Sequence, residues 1–183
     1  LQSKGLPFES AMATGANRRI FSTMKSFLDQ ANRELGAERG ECPDGVGYGL
    51  RFAHMSAIAP NASTSTIMGN TSPSIELFRA NAFRQDTMSG SHFHKWYDDT
   101  WSSIVTSAGS AQHLDFLSDY QKDVFKTASE VDQRWVIAHA ADRQPSIDQA
   151  QSLNLFFKAT ASIPYLHHVH FEAWKRGLKS LYY

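Results

Sequence analysis

Cysteine is nearly absent from this 183-residue chain, which carries only Cys42. A single cysteine forms no disulfide within the chain, builds no multi-cysteine metal site and performs no dithiol redox chemistry on its own. Any reaction that depends on several thiols therefore needs cysteines outside this sequence. Cys42 lies in a turn-rich stretch next to Pro43, and we assign it no role as a ligand or nucleophile.

Long apolar runs and net charge are also lacking. No apolar run approaches the roughly 18 residues that cross a bilayer, and the formal net charge is zero. Neither a membrane nor nucleic acid is therefore expected as a partner. The first residues, Leu1 to Lys4, include neither an initiator Met nor the apolar core of a signal peptide. We expect a single-domain piece of a longer cytoplasmic protein.

Apolar residues at helical spacing predict four helices, over 17–35 with Gly36 as its stop, and over about 115–130, 131–141 and 165–179. Short apolar stretches predict buried strands at 54–59, at 153–157 and from Leu181 onward. The segment 80–95 has mixed polarity and is expected to hold strands or irregular backbone. Helices that alternate with short buried strands indicate an α/β architecture with some parallel pairing.

The loop after the first predicted strand carries the most informative chemistry. It consists of small and hydroxyl-bearing residues, Asn61, Ala62, Ser63, Thr64 and Ser65, after Pro60. If a helix starts here, its unpaired N–H groups and positive dipole end favour an anion, usually a phosphate. The alternative is a Ser/Thr-rich helix cap without a ligand. A Walker-type loop is excluded because no Gly-Lys-Ser/Thr follows.

Two other kinds of site are considered and set aside. His167 and His170 share a face of a predicted helix, with His168 and Glu172 nearby, but a His-Glu-x-x-His motif is missing. Such clusters are more often surface or packing residues, so we expect no metal ion in this chain. A serine hydrolase is not supported either, since no Gly-x-Ser-x-Gly motif is present.

Four stretches of the chain, in the same order, resemble the large subunit of class I (aerobic) ribonucleotide reductases, most closely phage and bacterial members. The likeness extends over nearly the whole chain from about Asn17. The stretches are HMSAIAPNASTS (54–65) with GNTSPSIE (69–76), VDQRW (131–135) with AADRQP (140–145), QAQSLNLF (149–156), and AWKRGLKSLYY (173–183).

The resemblance implies a fold and a set of site residues. The family folds as a ten-stranded α/β barrel, of which residues 1–183 would form the C-terminal portion as one domain. The loop residues Asn61, Ala62, Ser63, Thr64 and Ser65 match the segment that holds the substrate diphosphate, with Ala62 contributing only its backbone. Tyr182 and Tyr183 match the stacked pair that relays a radical to the active-site cysteine. Without that context, two adjacent tyrosines would be read as aromatic packing residues.

The resemblance also implies an enzyme, ribonucleoside-diphosphate reductase, which makes deoxyribonucleotides for DNA synthesis by radical chemistry. Its expected partners are a ribonucleoside diphosphate, the upstream part of the large subunit, a metal-containing small subunit that supplies the radical, thioredoxin or glutaredoxin, and a second large subunit. ATP or dNTP effectors would bind the upstream part, and no cofactor is expected in this chain.

One departure from the family limits this interpretation. The family's catalytic cysteines match nothing in this chain, so we expect it to be inactive without the upstream part that carries them. Two alternatives to the reductase interpretation remain open. The first is a split or truncated complementing subunit without activity of its own. The second is a phosphate-binding α/β module without redox activity.

Overall fold

The computed structural model describes residues 1–69, 71–88, 90–95 and 101–181. Short 3₁₀ turns occur at Gln2–Lys4, Pro43–Gly45 and Gln144–Ser146. The helices and strands, in chain order, are α1 (Ala11–Arg39), α2 (Ala62–Ile67), β1 (Ala82–Thr87), β2 (Gly90–Lys95), α3 (Trp101–Thr106), α4 (Asp119–Val124), α5 (Gln133–Arg143) and α6 (Ile163–Lys175).

The first helix is longer than the sequence predicts. Ser10 caps it, its hydroxyl oxygen accepting a hydrogen bond from the Ala13 N–H at 3.1 Å. The predicted stop at Gly36 is wrong, because the helix continues to Arg39 and ends at Gly40, which has φ of 83°. Gly36 is buried within the helix, where the turn around Gly49 packs against it.

The apolar stripe of α1 faces outward rather than into a core. Ile20, Met24 and Phe27 are each more than half exposed. The buried positions of the helix are instead small or polar, namely Ala13, Asn17, Asn32 and Gly36. Polar contacts hold this side in place: the Asn17 amide donates to the His139 carbonyl at 2.9 Å. The helix is amphipathic as predicted, but its apolar stripe is left uncovered by the described residues.

The main core forms where α5 and α6 meet the N-terminal segment. Its buried side chains are Phe8, Val131, Val136, Ile137, Ala140, Leu153, Val169 and Ala173. Both helices lie close to their predicted positions, and the predicted end of the last one is corrected from 179 to Lys175. Gly177 follows with φ of 75°, a conformation that suits a residue without Cβ.

A hairpin and a second small core cover the middle of the chain. β1 pairs antiparallel with β2, from Ala82 opposite Lys95 to Thr87 opposite Gly90. The buried residues Ala82, Ile104, Ala111, Leu114 and Leu117 form the second core. The helix predicted over 115–130 is confined to α4, because Ser118 caps it through a capping box and turns occupy the rest. α3 was not predicted.

The predicted parallel pairing is present as a single bridge between Ile58 and Gln151. The predicted strand at 153–157 forms no ladder among the described residues. Its alternation is nevertheless visible, since Leu153, Leu155 and Phe157 all pack on the main core. A strand needs a neighbouring strand for the hydrogen bonds of its backbone groups. In the described part of the chain, backbone pairing along this segment is limited to the contact with Ile58.

Candidate functional site

The candidate phosphate loop follows the segment that makes the parallel contact. The Ile58 N–H donates to the Ala150 carbonyl at 3.3 Å, and the Ser152 N–H donates to the Ile58 carbonyl at 2.7 Å. The chain then turns at Pro60 into α2. The loop therefore follows the carboxyl end of a segment in parallel contact, and the carboxyl ends of parallel strands are where α/β folds place their ligands.

The five predicted loop residues lie together at the start of α2. The helix begins at Ala62, so most of the loop is its first turn. Asn61 to Thr64 are exposed. No side chain among the described residues caps this helix, and its first N–H groups point away from the helix body.

Ser65 has a different setting from the other loop residues. Its side chain is buried, and its hydroxyl donates to the Ala62 carbonyl at 2.8 Å. Two further bonds fix the loop: the Asn61 N–H donates to the Pro73 carbonyl at 2.8 Å, and the Gln85 amide donates to the Ala62 carbonyl at 3.3 Å. These hydrogen bonds fix the position of the first turn of α2, while the residues from Asn61 to Thr64 stay exposed.

Two cavities flank the segment 72–78 next to the loop, with volumes of about 430 and 450 Å³. Glu76 lines both of them. The larger also touches Pro60 and Ala62 of the loop, and Gln85 of the hairpin. Glu76 is buried, with 4% of its surface exposed, and its Oε1 accepts a hydrogen bond from the Asn154 amide at 2.5 Å.

A buried network of polar side chains includes Gln151, the residue that bridges Ile58. The Arg143 Nε donates to the Gln151 Oε1 at 2.6 Å, and the Gln151 amide donates to the Gln144 side-chain oxygen at 2.8 Å. Burial lowers the pKa of the Arg143 guanidinium to about 10, although the charges of Glu76 and Asp142 act against this. The sequence interpretation gave Glu76, Arg143 and Gln151 no role, because no pattern in the sequence marks which polar side chains are buried.

The predicted radical-relay residues Tyr182 and Tyr183 lie outside the described residues. The segment that leads to them runs beside the bridged strand. The Ser180 hydroxyl donates to the Gln151 carbonyl at 3.4 Å, and Leu181 packs on the main core. The tyrosine pair therefore follows directly after a segment that contacts the partner strand of the loop.

The remaining candidates do not assemble into a site. Within the described ranges, no three His, Cys, Asp or Glu side chains lie close enough together to hold a metal ion. A ring nitrogen of His170 lies 2.7 Å from the Leu166 carbonyl, and the His167 ring stacks on Phe171. Cys42 is half-buried and precedes the turn Pro43–Gly45. No helix in the described part of the chain is long and apolar enough to cross a membrane.

Comparison with known proteins matches this arrangement to one family. The family model described as "Ribonucleotide reductase, barrel domain" matches residues 44–183. The chain belongs to the ribonucleotide reductase large-subunit family. The described structure is accordingly a portion of an α/β barrel, in which the Ile58–Gln151 bridge is a parallel contact.

Individual relatives agree over the full chain. The ribonucleoside-diphosphate reductase large subunits of Invertebrate iridescent virus 3 and Invertebrate iridescent virus 6 are 49% and 48% identical over 100% of this chain. The solved class Id ribonucleotide reductase alpha subunit of Actinobacillus ureae is 36% identical, with a TM-score of 0.89. The chain spans only 32% and 21% of the two viral proteins and 36% of the solved structure.

Proposed function

We propose that this chain is the C-terminal portion of a class I ribonucleoside-diphosphate reductase large subunit. In it, the loop from Asn61 to Ser65 holds the substrate diphosphate, and Tyr182 and Tyr183 relay the radical. The observation that carries the proposal is the exposed first turn of α2, which no described side chain caps and which follows the segment that bridges Gln151 through Ile58. This is the arrangement in which backbone N–H groups receive an anion.

The loop residues divide the work of binding. Backbone N–H groups at the start of α2 and the exposed hydroxyls of Ser63 and Thr64 donate to phosphate oxygens. Ala62 contributes only its backbone. Ser65 positions the turn, because its hydroxyl is already bonded to the Ala62 carbonyl. The small side chains let the anion approach the backbone closely.

The radical step uses the tyrosine pair and thiols from elsewhere. A tyrosine phenol can lose an electron together with its proton, so Tyr183 and Tyr182 pass an oxidising equivalent inward. A cysteine outside this chain becomes a thiyl radical and abstracts a hydrogen atom from the ribose. A separate pair of cysteines supplies two electrons and two protons, and the first cysteine then returns the abstracted hydrogen atom to the ribose. The ribose hydroxyl leaves as water, and the cysteine pair becomes a disulfide.

The proposed partners follow from this division. They are the upstream part of the large subunit, a metal-containing small subunit that generates the radical, and thioredoxin or glutaredoxin, which reduces the disulfide. A second large subunit completes a homodimer, ATP or dNTP effectors bind the upstream part, and the assembly works in the cytoplasm. Cys42 is the sole cysteine of the sequence, so the chain alone provides no dithiol.

A complementation assay tests the proposal. Reduction of a ribonucleoside diphosphate is measured for the chain alone, for the upstream part of a large subunit alone, and for the two together, always with the small subunit and a dithiol reductant. We expect activity only on mixing. If no mixture is active while the chain still binds inorganic pyrophosphate, the chain is a phosphate-binding module and the reductase proposal fails.

A further inference from the structure

The Glu76 carboxyl group is only half satisfied. Its Oε1 accepts the hydrogen bond from Asn154, whereas its Oε2 is buried and has no hydrogen-bond partner among the described residues. Leaving a buried acceptor unpaired costs about 1–3 kcal/mol, and such groups in native proteins usually have a partner that arrives from elsewhere. Glu76 therefore lies where a donor is missing.

A second buried acceptor without a partner belongs to a residue that lines the same cavity as Glu76. The Gln85 amide donates to the Ala62 carbonyl, but its Oε1 is buried without a partner in the part of the chain that the structure describes. Glu76 and Gln85 both line the cavity of about 450 Å³ beside the loop. Two acceptors on one cavity call for an occupant that brings N–H or O–H donors.

The cationic side chains of the same cavity are engaged elsewhere. The Arg84 Nε forms an ion pair with Asp86 Oδ1 at 2.8 Å. The Arg79 guanidinium lies over the Phe156 ring, 5.4 Å from its centre. Neither of these arginines forms a hydrogen bond or an ion pair with Glu76 within the described residues. The missing donor for Oε2 is therefore not supplied by Arg79 or Arg84.

We propose that this cavity is a docking site for the upstream part of the large subunit, which inserts a hydrogen-bond donor against the Oε2 of Glu76. This inference rests on the proposed function. The relatives are three to five times longer than this chain, and the segment 72–78 has a cavity on each side of it. Because the chain covers only 36% of the solved alpha subunit that it matches, other parts of the protein have to supply the remaining elements of the barrel around this segment.

Asn154 gives the docking site its geometry. The Asn154 amide holds Oε1, which leaves Oε2 as the carboxylate oxygen without a partner among the described residues. The Arg143 guanidinium adds a favourable charge interaction with Glu76. Asn154 and Arg143 are thus positioning residues, and Glu76 is the contact residue.

The Glu76→Gln variant provides a sharp test, because it keeps the shape but replaces the acceptor Oε2 with a donor NH₂. The remaining oxygen still receives the Asn154 hydrogen bond, so the chain should fold. The chain is co-expressed with the upstream part of the Invertebrate iridescent virus 3 large subunit, and the dissociation constant of the purified pair is measured. We expect Glu76→Gln to weaken association by about ten- to a hundredfold.

The matched control is Glu34→Gln, which removes the same charge from an exposed position on α1 that lines neither cavity. It should leave the dissociation constant within about twofold, as expected for an exposed charge. A second measurement needs no variant: amide hydrogen exchange of 72–78 should slow when the pair forms. Equal affinity for Glu76→Gln and the unchanged chain, or equal exchange with and without the partner, would overturn the docking site.

Nucleotide reduction is measured in addition to association, so that the docking site and the proposed function can be contradicted independently of each other. Association that is sensitive to Glu76→Gln without nucleotide reduction supports the docking site and contradicts the proposed function. An active pair that is insensitive to Glu76→Gln contradicts the docking site alone. If instead Glu76→Gln weakens nucleoside diphosphate binding to the chain by itself and leaves association unchanged, the occupant is substrate and the docking proposal is wrong.

Discussion

Gly36 of α1 lies against Gly49 so closely that a methyl group on Gly36 would stand 2.6 Å from the Gly49 carbonyl oxygen. The contact lets the turn after α1 fold back onto the helix. The Asn32 side chain completes this junction, because its amide donates to the Phe52 carbonyl at 2.9 Å and its oxygen accepts from the Phe52 N–H at 2.7 Å. The junction fixes the direction in which the chain enters the bridged strand.

The close approach predicts an unusual response to alanine. Replacing a helical glycine with alanine ordinarily stabilises a protein by about 0.5–1 kcal/mol. We expect Gly36→Ala instead to lower the free energy of unfolding by about 1–3 kcal/mol, because backbone atoms of the turn must move. Gly15→Ala in the same helix is the control, since nothing lies within 4 Å of its added Cβ. Urea unfolding of both variants checks the opposite signs.

Gly36 also shows why part of the fold was not predictable from the sequence. A glycine after an apolar helical pattern normally marks a C-terminal stop. Here the demand for a small residue comes from Gly49, which is thirteen positions away, and local patterns do not contain such a contact. The outward face of α1 has the same kind of cause: Ile20 and Phe27 indicate an amphipathic helix, but not whether a partner covers them.

His139 predicts a pH-dependent stability. One ring nitrogen, Nε2, lies 2.8 Å from the Phe8 carbonyl oxygen and donates to it, so in the neutral ring the buried Nδ1 carries no proton, and it has no partner among the described residues. Burial lowers the pKa of His139 below its usual value of about 6.5. The unfolded chain therefore binds a proton at this residue more readily than the folded chain does.

The sign of the effect follows from this difference. As pH falls through about 6.5, the unfolded state takes up the proton first, so the free energy of unfolding decreases. We expect wild-type stability to decline from pH 7 to pH 5, and the His139→Phe variant to show a flatter profile despite lower stability at pH 7. Urea titrations at several pH values measure both. Parallel profiles would show that His139 is not the titrating group.

An exposed and a buried apolar side chain predict contrasting effects when each is shortened to alanine. Phe27 is 68% exposed on α1, whereas Leu153 is fully buried in the main core. Leu153→Ala should lower the free energy of unfolding of the isolated chain by about 2–5 kcal/mol. Phe27→Ala, although it removes a larger side chain, should change it by less than about 0.5 kcal/mol. A large effect of Phe27→Ala would mean that the stripe is already covered.

The candidate site divides into a predictable and an unpredictable part for a physical reason. The run from Asn61 to Ser65 is contiguous, so its backbone N–H groups and the exposed hydroxyls of Ser63 and Thr64 lie close together along the chain at the start of α2. The pair of Glu76 and Asn154 is 78 positions apart. Such a pair becomes visible only when the two segments that carry Glu76 and Asn154 are packed side by side.

The exposed hydroxyls of the loop predict a loss of substrate affinity. Ser63→Ala and Thr64→Ala should each weaken diphosphate binding by roughly 1.5–3 kcal/mol at most, the range for hydrogen bonds to charged groups. Thr66→Val is the control, because the Thr66 hydroxyl is buried and has no hydrogen-bond partner in the described ranges. Calorimetry of the complemented enzyme with a ribonucleoside diphosphate measures the change. Unaltered affinity in Ser63→Ala and Thr64→Ala would remove the phosphate role.

The tyrosine pair predicts a loss of turnover without a loss of binding. Phenylalanine keeps the ring but lacks the phenolic proton, so Tyr182→Phe and Tyr183→Phe should each abolish nucleotide reduction in the complemented enzyme. Ribonucleoside diphosphate affinity should stay unchanged, because the phosphate loop is intact. Tyr165→Phe is the control for losing a tyrosine hydroxyl: it removes the Tyr165–Asp132 hydrogen bond of 2.9 Å, and Tyr165 belongs to α6 rather than to the pair. Tyr165→Phe should lower stability yet retain turnover once the enzyme is folded.

Normal turnover in either relay variant would contradict the radical assignment, whereas loss of both turnover and nucleotide binding would indicate a structural role for the pair.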